Sequence, residues 1–291
     1  MSVPARPVPL FADINDVSRR LAETGYLPDT ATATAVLLAD RLGKPLLVEG
    51  PAGVGKTELA RAVAQATGSG LVRLQCYEGV DEARALYEWN HAKQILRIQA
   101  GSGDWDATKT DVFSEEFLLS RPLLTAIRRT EPTVLLIDET DKADIEIEGL
   151  LLEVLSDFAV TVPELGTLTA ERAPFVLLTS NATRELSEAL KRRCLFLHID
   201  FPSPDLERRI LLSRVPELPA HLAEELVRII GVLRGMQLKK VPSIAETIDW
   251  GRTLLALGLD TIDDAVVAQT LGVVLKHQSD QQRASGELRL N

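Results

Sequence analysis

Cysteine is almost missing from this sequence: two residues, Cys76 and Cys194, in a chain of 291. They lie 118 positions apart, with no CxxC motif and no clustered histidines. Neither a zinc site nor a disulfide framework is indicated, and a reducing cytoplasm is the expected setting. Also lacking is any apolar run near the roughly 20 residues that span a bilayer, which argues against a transmembrane segment. The Pro-rich start, Met1 to Pro9, has no charged-then-apolar export pattern. Basic excess is absent as well: the formal charge is −10, whereas nucleic-acid binders carry a basic stripe. The acidic surplus sits in the first 202 residues, 30 acids against 21 bases, while the remainder holds 12 against 11. No internal repeat of about 20 to 50 residues is visible.

What is present is the composition of a folded chain, 45% hydrophobic and 25% charged, arranged in alternation. The apolar runs Pro45 to Val48, Leu71 to Leu74, Val134 to Ile137, Phe175 to Leu178 and Leu195 to Ile199 are too short for helices and read as buried parallel strands. Helical stretches separate them: Thr57 to Ala66, Asp81 to about Ile98, Pro122 to Arg129, Ile145 to Phe158 and Glu185 to Arg192. Such alternation predicts an α/β sheet wound on both faces. It stops at Phe201-Pro-Ser-Pro-Asp, where Ser203 before Pro204 and Asp205 reads as a helix N-cap with Pro at the first helical position. The expected domains are therefore 1–202, an α/β core, and 203–291, a small all-helical lid of segments Leu206 to Arg214, His221 to Arg234, Ser243 to Leu257 and Ile262 to Lys276.

The connection between the second and third strands is unusually long. It holds Tyr77, Tyr87, Trp89, Trp105 and Phe113, five of the 13 aromatic residues, and Gly101 to Ala107 within it reads as a loop. Packing of extra helices is the expected use of these rings, and a substrate-contacting surface the alternative.

The chemistry begins at Gly50-Pro51-Ala52-Gly53-Val54-Gly55-Lys56-Thr57, directly after Leu46-Leu47-Val48 and directly before a helical stretch. Glycines let backbone N–H groups close around phosphate oxygens, and a helix start adds its positive dipole end. Lys56 is expected at the β- and γ-phosphates of ATP and the Thr57 hydroxyl on Mg²⁺, with Glu58 closing the nucleotide-contacting set. About eighty residues downstream, Leu135-Leu-Ile-Asp138-Glu139 ends a second buried strand. An isolated Asp-Glu there is usually a solvated turn; beside a P-loop it supplies Asp138 to the Mg²⁺ shell and Glu139 as general base for the attacking water. Asn181, after Thr179-Ser180, ends the fourth strand at the same sheet edge, within reach of the γ-phosphate or the lytic water. Lys191-Arg192-Arg193 closes a helix; its cations favour the C-terminal dipole, and an Arg there can also reach a neighbouring subunit's nucleotide as an arginine finger.

These residues resemble the AAA+ ATPase superfamily and, within it, the MoxR branch with its CoxD-like members, over nearly the whole chain. Gly50 to Thr57 matches Walker A, Leu135 to Glu139 Walker B, Asn181 sensor 1, and Glu188-Ala-Leu-Lys-Arg-Arg193 the finger helix. Arg73 to Gly79, Leu86-Tyr-Glu-Trp89 and Pro242 to Trp250 look like signatures of the narrower group. The resemblance implies a P-loop NTPase core of five parallel strands with a helical C-terminal lid, an insertion at about 79–113, and a hairpin of Val160-Thr-Val with Thr167-Leu-Thr. It further implies a homo-hexameric ring, Arg193 as the finger with Arg192 as the alternative, and an ATP-driven chaperone. The client would be a protein, a molybdenum- and copper-dependent dehydrogenase being one candidate metalloenzyme, and the co-worker a protein bearing a von Willebrand factor A domain. One departure stands out: where MoxR relatives commonly place an Arg after a Pro as sensor 2, this chain reads Val241-Pro242-Ser243, with Lys239, Lys240 and Arg252 as nearby cations. A DNA-remodelling or loading ATPase and a small-molecule kinase are the competing functions; acidic charge weighs against the first and the helical lid against the second.

Overall fold

Five of the chain's nine described strands form one parallel sheet, and their identity follows from burial. In the computed structural model, which describes residues 9–100, 112–163 and 165–287, these are β1 (Leu46–Glu49), β2 (Gly70–Gln75), β5 (Thr133–Asp138), β8 (Phe175–Ser180) and β9 (Leu195–His198), in the order β2-β5-β8-β1-β9. The two strands β5 and β8 are buried at every residue. A strand covered on both faces reads as a continuous apolar run, which is why the pattern was visible in sequence. Parallel register sets Gln75 opposite Asp138 and Glu49 opposite Ser180 at the C-terminal edge of the sheet. Open α/β sheets bind their ligands along this edge.

The described chain divides into two compact units. The first comprises the chain up to Thr24, Pro28–Glu49 and Thr57–His198; the second comprises Gly25–Leu27, Gly50–Lys56 and the chain from Ile199 onward. In the first, helices Pro122–Arg128 and Ile145–Asp157 contribute Leu123, Leu124, Ile127, Ile147, Leu151 and Val154 to one core with Leu74, Leu135, Ile137, Val176 and Leu178 of the sheet. Two helices that the apolar pattern did not reveal, Ile14–Glu23 and Thr30–Leu42, open this unit, capped by Asp13 and Asp29. The second unit packs helices Pro204–Arg214, Ala220–Gly235, Ile244–Ala256, Asp264–Thr270 and Gln278–Glu287. Trp250 is fully buried in its core, the indole N–H donating to Thr270 Oγ1 at 2.8 Å. Ser203 caps the first of these helices by accepting from Leu206 N, with Pro204 inside the first turn.

Three expectations are corrected. The helix expected from Asp81 to Ile98 is two helices, Glu82–Ala85 and His91–Ala100, separated by β3 (Tyr87–Trp89). Strand-forming aromatics break the helix there: β3 pairs antiparallel with β4 (Leu118–Ser120), and Trp89 meets Phe113 edge to face at 5.4 Å. The helix expected from Ile262 to Lys276 is α-helical over Asp264–Thr270 and tightens to a 3₁₀ turn at Leu271–Val273, which contains Gly272. The finger helix runs Glu188–Arg193 and not from Glu185, because Ser187 caps it. The expected hairpin is present as β6 (Ala159–Val162) with β7 (Gly166–Thr169). Trp105, the Gly101 to Ala107 loop and Met1 to Val8 lie outside the described residues.

Candidate active site

The loop after β1 closes on itself. Lys56 is buried, and its Nζ donates to the carbonyls of Gly50 and Pro51, each at 2.7 Å. Two glycines are required by space. A Cβ on Gly50 would stand 1.9 Å from the Ile199 carbonyl oxygen; one on Gly53, at φ 77°, would stand 2.3 Å from Ser243 Cβ. Ser243, the residue found where an Arg was expected, therefore packs directly against this loop. It begins the helix Ile244–Ala256 with a capping box to Glu246. The neighbouring cations are engaged locally: Lys240 Nζ bonds Glu246 at 2.8 Å and Arg252 approaches Asp249 at 3.5 Å. Backbone N–H groups of Lys239 and Lys240 donate to the buried Asp280.

Beyond the loop, Thr57 starts the helical segment that faces Asp138. Asp138 is 2% exposed, and both of its oxygens are occupied. The hydroxyls of Thr57 and Thr179 donate to Oδ1 at 3.0 and 2.6 Å, while Arg73 Nε and Nη2 donate to Oδ2 at 3.0 and 2.5 Å. The adjacent Glu139 adopts a left-handed conformation, φ 56° and ψ 48°, uncommon for a residue with a side chain. Its N–H donates to Thr179 Oγ1 at 2.8 Å, so one hydroxyl fixes both carboxylate residues. The Glu139 carboxylate accepts from Gln75 Nε2 at 2.9 Å and Lys142 Nζ at 2.7 Å, and the hydrogen bond from Lys142 raises the latter's pKa. Arg73 also bonds Gln75, which completes a chain Asp138–Arg73–Gln75–Glu139. Sequence reading did not assign Arg73, Gln75 or Thr179. Cys76 lies next to these acids; burial, then the charges of Asp138, Asp141 and Glu139, push its thiol up to about 12, which makes it an unreactive core residue.

Asn181 follows β8 half-buried, and its segment is fastened by two buried carboxylates. Asp141 accepts from Thr183 N at 3.0 Å and from Thr183 Oγ1 at 2.5 Å, and Glu148 accepts from Ser187 N at 2.8 Å and pairs with Arg184 at 2.6 Å. Burial alone would raise the pKa of Asp141; bonds from the Thr183 side chain and backbone and from the Asn181 N–H outweigh it and lower it. Burial likewise opposes the lowering at Glu148, where Ser187 and Arg184 prevail. Arg192 and Arg193 stand elsewhere, exposed at the end of the helix Glu188–Arg193. Arg193 Nε donates to Ser156 Oγ at 2.8 Å and Nη1 to Ala189 O at 3.3 Å. Glu58 is directed to Arg61 at 3.8 Å.

The donor set suits a hard divalent cation. Thr57 Oγ1 and Asp138 Oδ1 are both oxygens and lie 3.0 Å apart. Among the described residues no group of three or more His, Cys, Asp or Glu side chains is placed to hold a metal by itself. One carboxylate and one hydroxyl, completed by substrate phosphates and water, is the manner of Mg²⁺.

A phosphate-binding loop, an Asp-Glu strand end bonded to the Thr that follows the loop, and a five-stranded parallel sheet in the order 2-5-8-1-9 define a P-loop ATPase. The family model of the AAA domain (dynein-related subfamily) matches residues 45–194, and the chain belongs to that family. It is similar to the uncharacterized protein YehL of Escherichia coli, 28% identical over an alignment 295 positions long that covers 94% of this chain and 73% of YehL. Protein NorQ of Paracoccus denitrificans is 25% identical, with 73% of each chain covered. Chaperone protein ClpB of Chlamydia pneumoniae is 25% identical over 76% of this chain, which spans only 25% of ClpB. A RuvB variant of Thermotoga maritima shares the fold, with a TM-score of 0.50 and 16% identity over 99% of this chain and 87% of that one. Among the described residues no helix is long and apolar enough to cross a membrane.

Proposed function

We propose that this ATPase is a MoxR-type remodelling chaperone whose subunits hydrolyse ATP at shared interfaces of a six-membered ring. The observation that carries the reading is the bonded group of Thr57, Asp138, Thr179 and Glu139, a preassembled hydrolytic half-site. In it the loop N–H groups and Lys56 receive the β- and γ-phosphates. Thr57 and Asp138 hold Mg²⁺, which when bound neutralises phosphate charge. Glu139 takes the proton of the attacking water, and Asn181 orients that water or the γ-phosphate. Arg193, or Arg192 in its place, stabilises the transition-state charge in a neighbouring subunit; the exposure of both supports a role directed outward.

The reading of the client as a protein is supported by the ClpB similarity and by the acidic balance of the chain, which disfavours nucleic acid. A metalloenzyme client and a von Willebrand factor A domain partner follow from the MoxR-like residues alone. The test is a Glu139→Gln trap. The variant is expected to bind ATP, remain assembled and retain a protein in pull-downs, with phosphate release lost. Release of phosphate at the wild-type rate would overturn the assignment of Glu139, and hydrolysis stimulated by DNA in a salt-dependent manner would replace the protein client with nucleic acid.

A further inference from the structure

We propose that Arg73 is a resident counter-cation of Asp138, so that this site takes its divalent cation together with the nucleotide and not ahead of it. The inference rests on the reading of Asp138 as a metal ligand. A buried carboxylate must have its charge compensated. Thr57 and Thr179 supply only neutral hydroxyls, both to Oδ1, and the positive charge comes from Arg73 through two bonds to Oδ2. Arg73 does not reach this position by strand pairing. Its register partner on β5 is Leu136, and its side chain runs along the sheet edge to the carboxylate two residues further on. The carboxylate end is sealed, with 3% side-chain exposure at Asp138, whereas the arginine side chain is 43% exposed. Arg73 can therefore move outward into water without unfolding anything, and Asp138 cannot follow it.

The consequence is a competition. Asp138 offers a cation no oxygen that lacks a donor, and a cation taken at Oδ1 beside Thr57 shares one carboxylate with the Arg73 guanidinium, so the two positive groups repel and Arg73 is displaced. A free divalent cation has only its attraction to Asp138 to drive that exchange. A cation arriving with a polyphosphate is held by the phosphates as well, and the same exchange then proceeds. If Arg73 served only to pin β2 to β5, its removal would cost stability and leave metal affinity unimproved.

The experiment is Mn²⁺ binding followed by electron paramagnetic resonance, without nucleotide and with a non-hydrolysable ATP analogue, on the wild type, Arg73→Gln and Asp138→Asn. The wild type is expected to bind Mn²⁺ at least about tenfold more weakly without the analogue than with it. In Arg73→Gln the nucleotide-free affinity should rise about tenfold, with a change below about threefold in the presence of the analogue. Unchanged or weaker nucleotide-free binding in Arg73→Gln overturns the inference. Should that variant fail to fold, equal wild-type affinities with and without the analogue overturn it also. Asp138→Asn separates the two levels: if it leaves analogue-supported Mn²⁺ binding intact, the metal-ligand reading fails, and if it abolishes that binding while Arg73→Gln shows no gain, only the role of Arg73 fails.

Discussion

The α/β unit carries its polar residues in two contrasting arrangements. Around the ends of β2, β5 and β8 the side chains form a bonded network: Thr57 and Thr179 to Asp138, Arg73 to Asp138 and Gln75, and Gln75 and Lys142 to Glu139. At the end of the helix Glu188–Arg193, two arginines stand exposed, and among the described residues Arg193 bonds a serine hydroxyl and a carbonyl of its own unit. The first region has settled its electrostatics within the chain. The second has positive charge and, among the described residues, no carboxylate bonded to Arg193, as a group that acts on an external anion requires. A bonded acid-and-threonine group together with an outward-facing cation is what the proposed sharing of catalysis between copies requires.

That comparison can be broken at four points, of decreasing effect. Arg193→Ala should leave ATP binding intact and lower turnover by about 10³- to 10⁵-fold, the range of arginine fingers, with Arg192→Ala milder. Full turnover in both variants, at a concentration where the wild type is monomeric, would remove the shared site. Glu139→Gln should lose about 10²- to 10⁴-fold in turnover. Mixing it with Arg193→Ala should restore part of the activity, because some interfaces then pair an intact base with an intact finger. Away from the chemistry, Arg234→Met leaves Glu207 buried without its two-point partner, bonded at 2.5 and 2.8 Å, and should destabilise the helical unit by about 3–5 kcal/mol in denaturant unfolding. Last, Asp141 and Glu148 have pKa values lowered by folding, so their contribution is full above their ordinary values of 3.8 and 4.5 and is lost as pH falls through the folded values. The melting temperature should therefore drop on acidification below about pH 4, and Asp141→Asn should blunt the drop.

Legibility in the sequence followed the range of the interactions. All five strands of the sheet were readable as short apolar runs; burial on both faces explains this for β5 and β8, whereas the edge strands β2 and β9 carry the same composition while partly exposed. The helix Thr30–Leu42 was not, since its Thr-Ala alternation imitates no strong helical face. Strands β3 and β4, three residues each and about thirty residues apart, are held by one another and by Trp89 against Phe113, and no local period announces that. Ser243 was noticed only as a missing arginine; its contact with Gly53 required the folded chain.

By itself the sequence determined the contiguous chemistry. Gly50 to Thr57 must form a loop entering a helix, and Asp138-Glu139 must end a buried strand, because glycine freedom, helix start and apolar burial act over a few residues. Tertiary structure decided what those residues are bonded to. The partners of Asp138 stand 81, 65 and 41 positions away; parallel register sets only Gln75 opposite it, and the side chains of Arg73 and Thr179 reach it by hydrogen bonds made in the folded sheet. A hydrogen bond depends on atoms within about 3 Å in space and leaves no mark on the spacing of residues along the chain.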